Sequence, residues 1–266
     1  MKNLILLKLG GSLITDKSKP YTARDDVIRR LAIEIKKSKS SKYQLLISHG
    51  SGSFAHTLAS QYGTADGAKT EDQIKGLCQV QQVAIEINRI VNRIFLDEGL
   101  NVLSFVPSSF TTSDNKDLNS LYIDPIVIAL KLGIIPLVFG DIILDKKIGS
   151  CIYSGEANLD NLIPPLQSNG FSISKVIQAG TTDGVYDENG TTIPIITPQN
   201  FPSLRSALKS STVADVTGGM LHKIEESLNM AKTGTDVFII NGTHPDNLFS
   251  AIVSDDCSKS TLITTK

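Results

Sequence analysis

An α/β fold built on a mostly parallel sheet is what this 266-residue sequence predicts, from three features. Apolar runs of strand length recur at 4–9, 44–48, 101–106, 134–139, 175–179 and 236–240, near-continuous rather than alternating, as in strands covered on both faces. Helical patterns lie between them, so crossover connections onto parallel strands are expected. Four runs end in small and polar residues, at the carboxyl ends where open parallel sheets gather ligands.

The first run, LILLKL, gives way to Lys8-Leu9-Gly10-Gly11-Ser12. Residues 25–37 then place Val27, Ile28, Leu31 and Ile35 on one helical stripe, and KSKSS at 37–41 reads as a loop. QLLIS, the second strand, ends in His49-Gly50-Ser51-Gly52-Ser53, with a helix expected to begin near His56. Thr70, Glu71 and Asp72 open a long helix through Asp97, in which Ile74, Leu77, Cys78, Ile87, Ile90, Val91, Ile94 and Phe95 recur every three or four residues until Gly99 stops it. TTSDNKD at 111–117 reads as a polar loop. The 134–139 strand ends in Gly140-Asp141, 141–150 reads as a hairpin, 197–209 as a loop passing into a helix, and SKSTLITT as a closing strand. The 236–240 strand ends in Asn241-Gly242-Thr243. No internal repeat and no interdomain linker interrupt this order.

At 41% hydrophobic the chain can bury a substantial core. Lys+Arg 26 against Asp+Glu 27 leaves no broad electrostatic footprint for nucleic acid or an acidic membrane, so any anion site must be local. Cys78, Cys151 and Cys257 are scattered, without the spacing of a zinc site, which fits a reducing compartment. No run approaches the roughly 20 residues of a membrane span, and the reading is a soluble cytoplasmic protein.

Glycine after a strand lets a ligand approach open main-chain N–H groups, and two such loops side by side would suit two phosphates. Neither GxGxxG nor GxxxxGK[ST] occurs, so no dinucleotide or P-loop fingerprint is claimed. Lys8 interrupts an apolar strand, where an ammonium is costly unless it meets an anion. Lys17 sits in the polar stretch TDKSK, His49 at a strand end reads as a structural donor, and His56 beyond the glycines is the better ligand candidate.

KLGGSLITDKS, HGSGSFAH, PLVFGDIILD and DVTGGMLHK at 215–223, with VPSSF at 106–110 and DNLIPPL at 160–166, resemble the amino acid kinase superfamily, most of all its isopentenyl phosphate kinase branch. The resemblance implies a three-layer sandwich forming a single domain over 1–266, with an acceptor-binding half at 1–174 and a nucleotide-binding half at 175–266. It implies transfer of the γ-phosphoryl group of ATP, with Mg²⁺, to isopentenyl phosphate, by a homodimer without nucleic-acid or membrane partners. Gly10, Gly11 and Ser12 would cradle the transferred group, Lys8 and Lys17 would counter its charge, and Gly52, Ser53 and His56 would hold the acceptor phosphate. Asp160, or Glu156 if the extra residues there shift the alignment, would order the lysines. Gly218, Gly219 and Lys223 would reach the ATP phosphates, and Asp183, Gly184 and Tyr186 would contact the nucleotide, with Lys8 and Gly10 shared; no protein metal ligand is implied. A phosphonate or another small anion as acceptor, and a non-catalytic nucleotide-binding regulator, are the alternatives. Ser51 and Ala55 stand where the family has glycines, and Thr181 where it has an aspartate.

Overall fold

The computed structural model describes residues 3–210, 218–254 and 259–266, and only the backbone of 206–210 and 218. In chain order the elements are β1 (Asn3–Leu9), α1 (Gly11–Ile14), α2 (Asp25–Lys37), β2 (Tyr43–His49), α3 (His56–Tyr62), α4 (Glu71–Asp97), β3 (Val102–Ser104), β4 (Thr111–Asp114), β5 (Asp117–Leu121), α5 (Asp124–Lys131), β6 (Ile135–Phe139), β7 (Asp141–Asp145), β8 (Gly149–Tyr153), α6 (Gly155–Ser168), β9 (Ser172–Gly180), β10 (Ile195–Ile196), α7 (Phe201–Ser210), α8 (Gly218–Lys232), β11 (Asp236–Asn241), α9 (Asn247–Val253) and β12 (Ser260–Ile263). The large sheet runs β10-β12-β11-β9-β1-β2-β6-β3, and every neighbouring pair is parallel except β11 with β12.

Strand β1 shows why the apolar runs do not alternate. Its Ile5, Leu7 and Leu9 pack into one core with Leu31 and Ile35 of α2 and Ile87, Val91 and Phe95 of α4. Leu4 and Leu6 point the other way, into a second core with Leu159 and Leu162 of α6 and Ile224 of α8. The sheet is therefore the middle of three layers, and each fully buried Leu or Ile contributes about 1.5–3 kcal/mol. Lys8 continues the Leu4–Leu6 face, so its side chain leaves the sheet toward α6. Opposite it in register stand Ser48 on β2 and Gln178 on β9. Ser48 Oγ donates to Gly155 O at 3.0 Å and Gln178 Nε2 to Ser227 Oγ at 3.0 Å. One face of the sheet thus turns polar at its carboxyl edge.

A second sheet, β5-β4-β7-β8, corrects the loop expected at 111–117. That segment is β4, a two-residue turn and the start of β5. Asn115 and Lys116 both adopt the positive φ (53° and 74°) that a tight hairpin turn requires. The polar composition reflects Asp145, whose carboxylate accepts from the backbone N–H groups of Asn115, Lys116, Lys147 and Ile148 and from Ser113 Oγ. These bonds overcome the opposing effect of its desolvation and hold its pKa well below the usual range. The predicted hairpin from 141 is β7 and β8, extending to Tyr153.

The helix expected from Thr70 forms with a full capping box: Thr70 Oγ1 accepts from Gln73 N at 3.2 Å, and Gln73 Oε1 accepts from Thr70 N at 3.2 Å. Helix α6 runs through Pro164 and Pro165, against their propensity, because Leu159, Leu162, Ile163 and Leu166 are buried against the sheet. Cys257 and residues 215–217 of DVTGGMLHK lie outside the described residues. Among the described residues no helix is long and apolar enough to cross a membrane.

Candidate active site

The carboxyl ends of β1, β2, β6 and β9 open onto a cavity of about 420 Å³, closed from the side by α3, α4, β8, α6 and α8. Its wall includes Lys8, Gly10, Gly11, Ser12, Lys17, Gly52, His56, Gly219 and Lys223, drawn together from across the sequence.

Two glycine loops meet there backbone to backbone. A Cβ on Gly11 would lie 2.5 Å from Gly52 N, one on Gly50 2.7 Å from Gly11 N, and one on Gly52, whose φ is +49°, 2.0 Å from Thr15 Oγ1. No other residue type fits these positions. Thr15, a residue that sequence reasoning missed, stitches the loops: its Oγ1 donates to Gly11 O at 2.7 Å and accepts from Ser53 N at 3.0 Å. Ser51, where a glycine was expected, needs no positive φ, and its hydroxyl donates to Gly140 O. Ala55 has φ −93° and ψ −34°, so neither replacement strains the loop.

Lys8 is 6% exposed and ion-paired with Glu156, in the first turn of α6. Burial alone would push the Glu156 pKa up; Lys8, with Lys223 adding to it, holds it below the ordinary value. The partner of Lys8 is thus Glu156, not Asp160. Asp160, the next turn along α6, does not line the cavity; burial raises its pKa, with Lys232 opposing. Lys223 comes off the second turn of α8 to a point 3.7 Å from where a Gly180 Cβ would stand. Both α6 and α8 present their amino-terminal turns to the cavity, adding partial positive charge.

His56 opens α3 at the mouth, where partial burial and then the Lys17 ammonium lower its pKa, leaving it neutral near pH 7. His49, by contrast, is fully buried. Its ring stacks on Phe139 with centroids 5.6 Å apart, its Nδ1 lies 3.0 Å from Gly50 O and its Nε2 3.0 Å from Asn88 Nδ2. Desolvation brings its pKa down to about 4, so its role is structural, as expected.

Beyond His56 the wall becomes apolar: Ala55, Ala59, Val80, Ala84, Ile152 and Tyr153. On α4, Val83, Ile87 and Ile90 pack into the main core, whereas Val80 and Ala84, on the neighbouring face, reach the cavity. Asp141 also lines this end; burial raises its pKa although Ile142 N and Ser108 N donate to it. Ser53, expected at the acceptor phosphate, is not on the cavity wall: its backbone N–H is spent on Thr15 Oγ1 at 3.0 Å.

Asp183, Gly184 and Tyr186 lie outside the cavity wall. Asp183 Oδ1 accepts from Asn241 Nδ2 at 2.8 Å, with His244 Nε2 at 3.2 Å, and Asp183 N donates to Tyr186 Oη at 3.0 Å. Gly184, at φ +123°, leaves no room for a Cβ beside Thr261. Gly218 is the first residue of α8, and Gly219 follows it onto the wall. Among the described residues no group of three or more His, Cys, Asp or Glu could hold a metal ion.

Comparison with known proteins adds to this geometry. The family model described as "Amino acid kinase family" matches residues 3–241. An isopentenyl phosphate kinase of Methanocaldococcus jannaschii is 32% identical over 262 residues, covering 95% of this chain and 96% of its own. One of Methanothermobacter thermautotrophicus is 32% identical over 275 residues, with the same coverage. A crystal structure of an isopentenyl phosphate kinase superposes with a TM-score of 0.84 at 28% identity, over 98% of this chain and 100% of that one.

Proposed function

Because the chain belongs to the amino acid kinase family and, within it, to the isopentenyl phosphate kinases, we propose that it transfers the γ-phosphoryl group of ATP to isopentenyl phosphate, giving isopentenyl diphosphate. One observation carries the reading: two interlocked glycine loops and three lysines adjoin a histidine and a small apolar compartment in one cavity.

The chemistry asks for position and charge more than for covalent help. A phosphate monoester, with a second pKa of about 6, is already largely dianionic at pH 7 and needs no general base. Its difficulty is repulsion: two unit charges 4 Å apart cost roughly 4 kcal/mol at an effective dielectric of 20. Lys8 lines the cavity with its ammonium held by the Glu156 carboxylate, and Lys17 and Lys223 share the same wall. Their field acts most strongly where charge spreads over the transferring group. Gly11 and Ser12 cradle that group with N–H donors, while Gly10, whose own N–H is spent on Ala179 O at 2.8 Å, lets it approach closely. Gly52 and His56 hold the acceptor phosphate, His56 through a hydrogen bond worth about 1.5–3 kcal/mol. The side of the cavity formed by Ala59, Val80 and Ala84 takes the hydrocarbon tail and excludes water.

The nucleotide phosphates fit the α8 side, by Gly219 and Lys223, and its remainder extends toward Asp183 and Tyr186 in the 175–266 half, leaving 1–174 to the acceptor. Mg²⁺, which commonly binds through substrate phosphates and waters, would enter on the ATP phosphates beside Gly219 and Lys223 and would supply further charge neutralisation there. The resemblance further suggests a homodimer, and the scattered cysteines suit the reducing cytoplasm.

The test is an ADP-release assay with ATP and Mg²⁺ across isopentenyl phosphate, dimethylallyl phosphate, fosfomycin and N-acetylglutamate. Turnover with isopentenyl phosphate well above the rest supports the reading. Preference for fosfomycin or N-acetylglutamate transfers it to another acceptor class, and no turnover with any leaves a nucleotide-binding regulator.

A further inference from the structure

Of the acidic side chains on the cavity wall that take no direct part in the phosphoryl transfer, Glu226 of α8 is the one that bridges two helices. Its Oε1 accepts from Ser154 Oγ at 3.1 Å. The same hydroxyl accepts from Ala157 N at 2.9 Å and so caps the helix whose first turn carries Glu156. Its Oε2 lies 3.3 Å from His222 Nδ1, one turn back on α8. Glu226 therefore joins the helix that bears Lys223 to the cap of the helix that aims Glu156 at Lys8. We propose that Glu226 is a positioning residue for phosphoryl transfer, binding α8 to the α6 cap and taking up a proton when nucleotide enters.

The charge around it explains the proton. From α6 it faces Glu156, from β1 Lys8, from its own helix His222 with Lys223 a turn away, and from the α6 cap the neutral Ser154. Its sequence neighbour Glu225 is paired with Arg205 of α7 at 2.9 Å. The cavity wall carries the lysines 8, 17 and 223 and the carboxyls of Asp141, Glu156 and Glu226. With all three carboxyls ionised the lysine charge is cancelled; a proton on Glu226 restores a net positive field for a polyanion. Burial, and then the Glu156 charge, already push its pKa up to about 7, so the proton is available near neutrality. Phosphates arriving beside it push the carboxyl further toward its neutral form, in which it still accepts from Ser154.

This inference rests on the nucleotide reading of the site, and its test separates the two. Mg·ATP without acceptor is titrated calorimetrically into the wild type and Glu226→Gln at pH 7.5, in buffers of different ionisation enthalpy. The amide keeps the acceptor for Ser154 and cannot titrate. Proton uptake per nucleotide should be larger in the wild type than in Glu226→Gln, by about half a proton or more. The wild-type Kd for Mg·ATP should weaken roughly tenfold between pH 6 and pH 8, while that of Glu226→Gln changes much less. Groups common to both proteins, His56 and the nucleotide among them, cancel in the difference. Binding with equal proton uptake in the two proteins overturns the role of Glu226 alone; no binding heat in either overturns the nucleotide reading with it.

Discussion

Substituting alanine at Gly11 tests whether the interlocked loops hold the reacting groups. The new Cβ would sit 2.5 Å from Gly52 N and 2.7 Å from Gly52 Cα, whereas ordinary contacts begin at 3.4 Å. Both obstacles are backbone, so no side chain can swing away, and the loops must part by about 0.9 Å (3.4 less 2.5). A displacement of roughly 1 Å between reacting groups costs on the order of 100-fold in rate, or about 2.7 kcal/mol in the barrier. Overpacking should add a stability loss of about 1–3 kcal/mol. The assay is kcat by ADP release under saturating ATP and isopentenyl phosphate, with the melting temperature measured alongside. Gly133→Ala is the control: its φ is +75° but nothing lies within 4 Å of the added Cβ, so it should lose stability and keep kcat. Should Gly11→Ala fail to fold, Gly10→Ala gives the milder case, with its Cβ 3.1 Å from Ala179 O and an intermediate loss of rate. A folded Gly11→Ala enzyme within threefold of wild-type kcat would refute the argument.

Three further outcomes are expected. Glu156→Gln leaves the buried Lys8 ammonium without its counter-charge and should destabilise the fold by about 3 kcal/mol while lowering kcat more than it raises KM; an unaltered urea midpoint contradicts the pairing. His56→Ala should lower kcat/KM for isopentenyl phosphate by about 10- to 100-fold with the melting temperature nearly unchanged, and unchanged kinetics would remove His56 from the site. The pKa of His49 falls from 6.5 to about 4 on folding, so the unfolded chain takes the proton first and His49 destabilises the fold as pH drops across that window, by up to about 3 kcal/mol. Glu226 and Asp141, raised by folding, act in the opposite sense, so the measurement is the difference between wild type and His49→Gln in urea; a difference constant from pH 7 to pH 4 contradicts the assignment.

The central sheet was legible because β1, β2, β6, β9 and β11 are buried on both faces, which writes itself as unbroken apolar runs. The glycine loops were legible as strand ends, and Lys8 as a charge where none belongs. What stayed hidden depends on packing between distant segments. The β4–β5 hairpin looked like a loop because its polar residues answer to Asp145, some thirty positions away. Helix α6 was obscured by Pro164 and Pro165 and exists because its apolar face meets the sheet. Thr15 and Ser154 are ordinary in sequence, and only contact gives them their bridging roles. On α4 the helical period identified an apolar stripe but could not tell the face toward the core, with Ile87, from the adjoining face of Val80 and Ala84.

Phosphorus NMR of the enzyme with ATP, Mg²⁺ and isopentenyl phosphate follows the transferred group itself. The monophosphate resonance should be replaced by the paired resonances of a diphosphate ester, in step with conversion of ATP to ADP. Inorganic phosphate appearing with the monophosphate untouched, or no change at all, would contradict the proposed transfer.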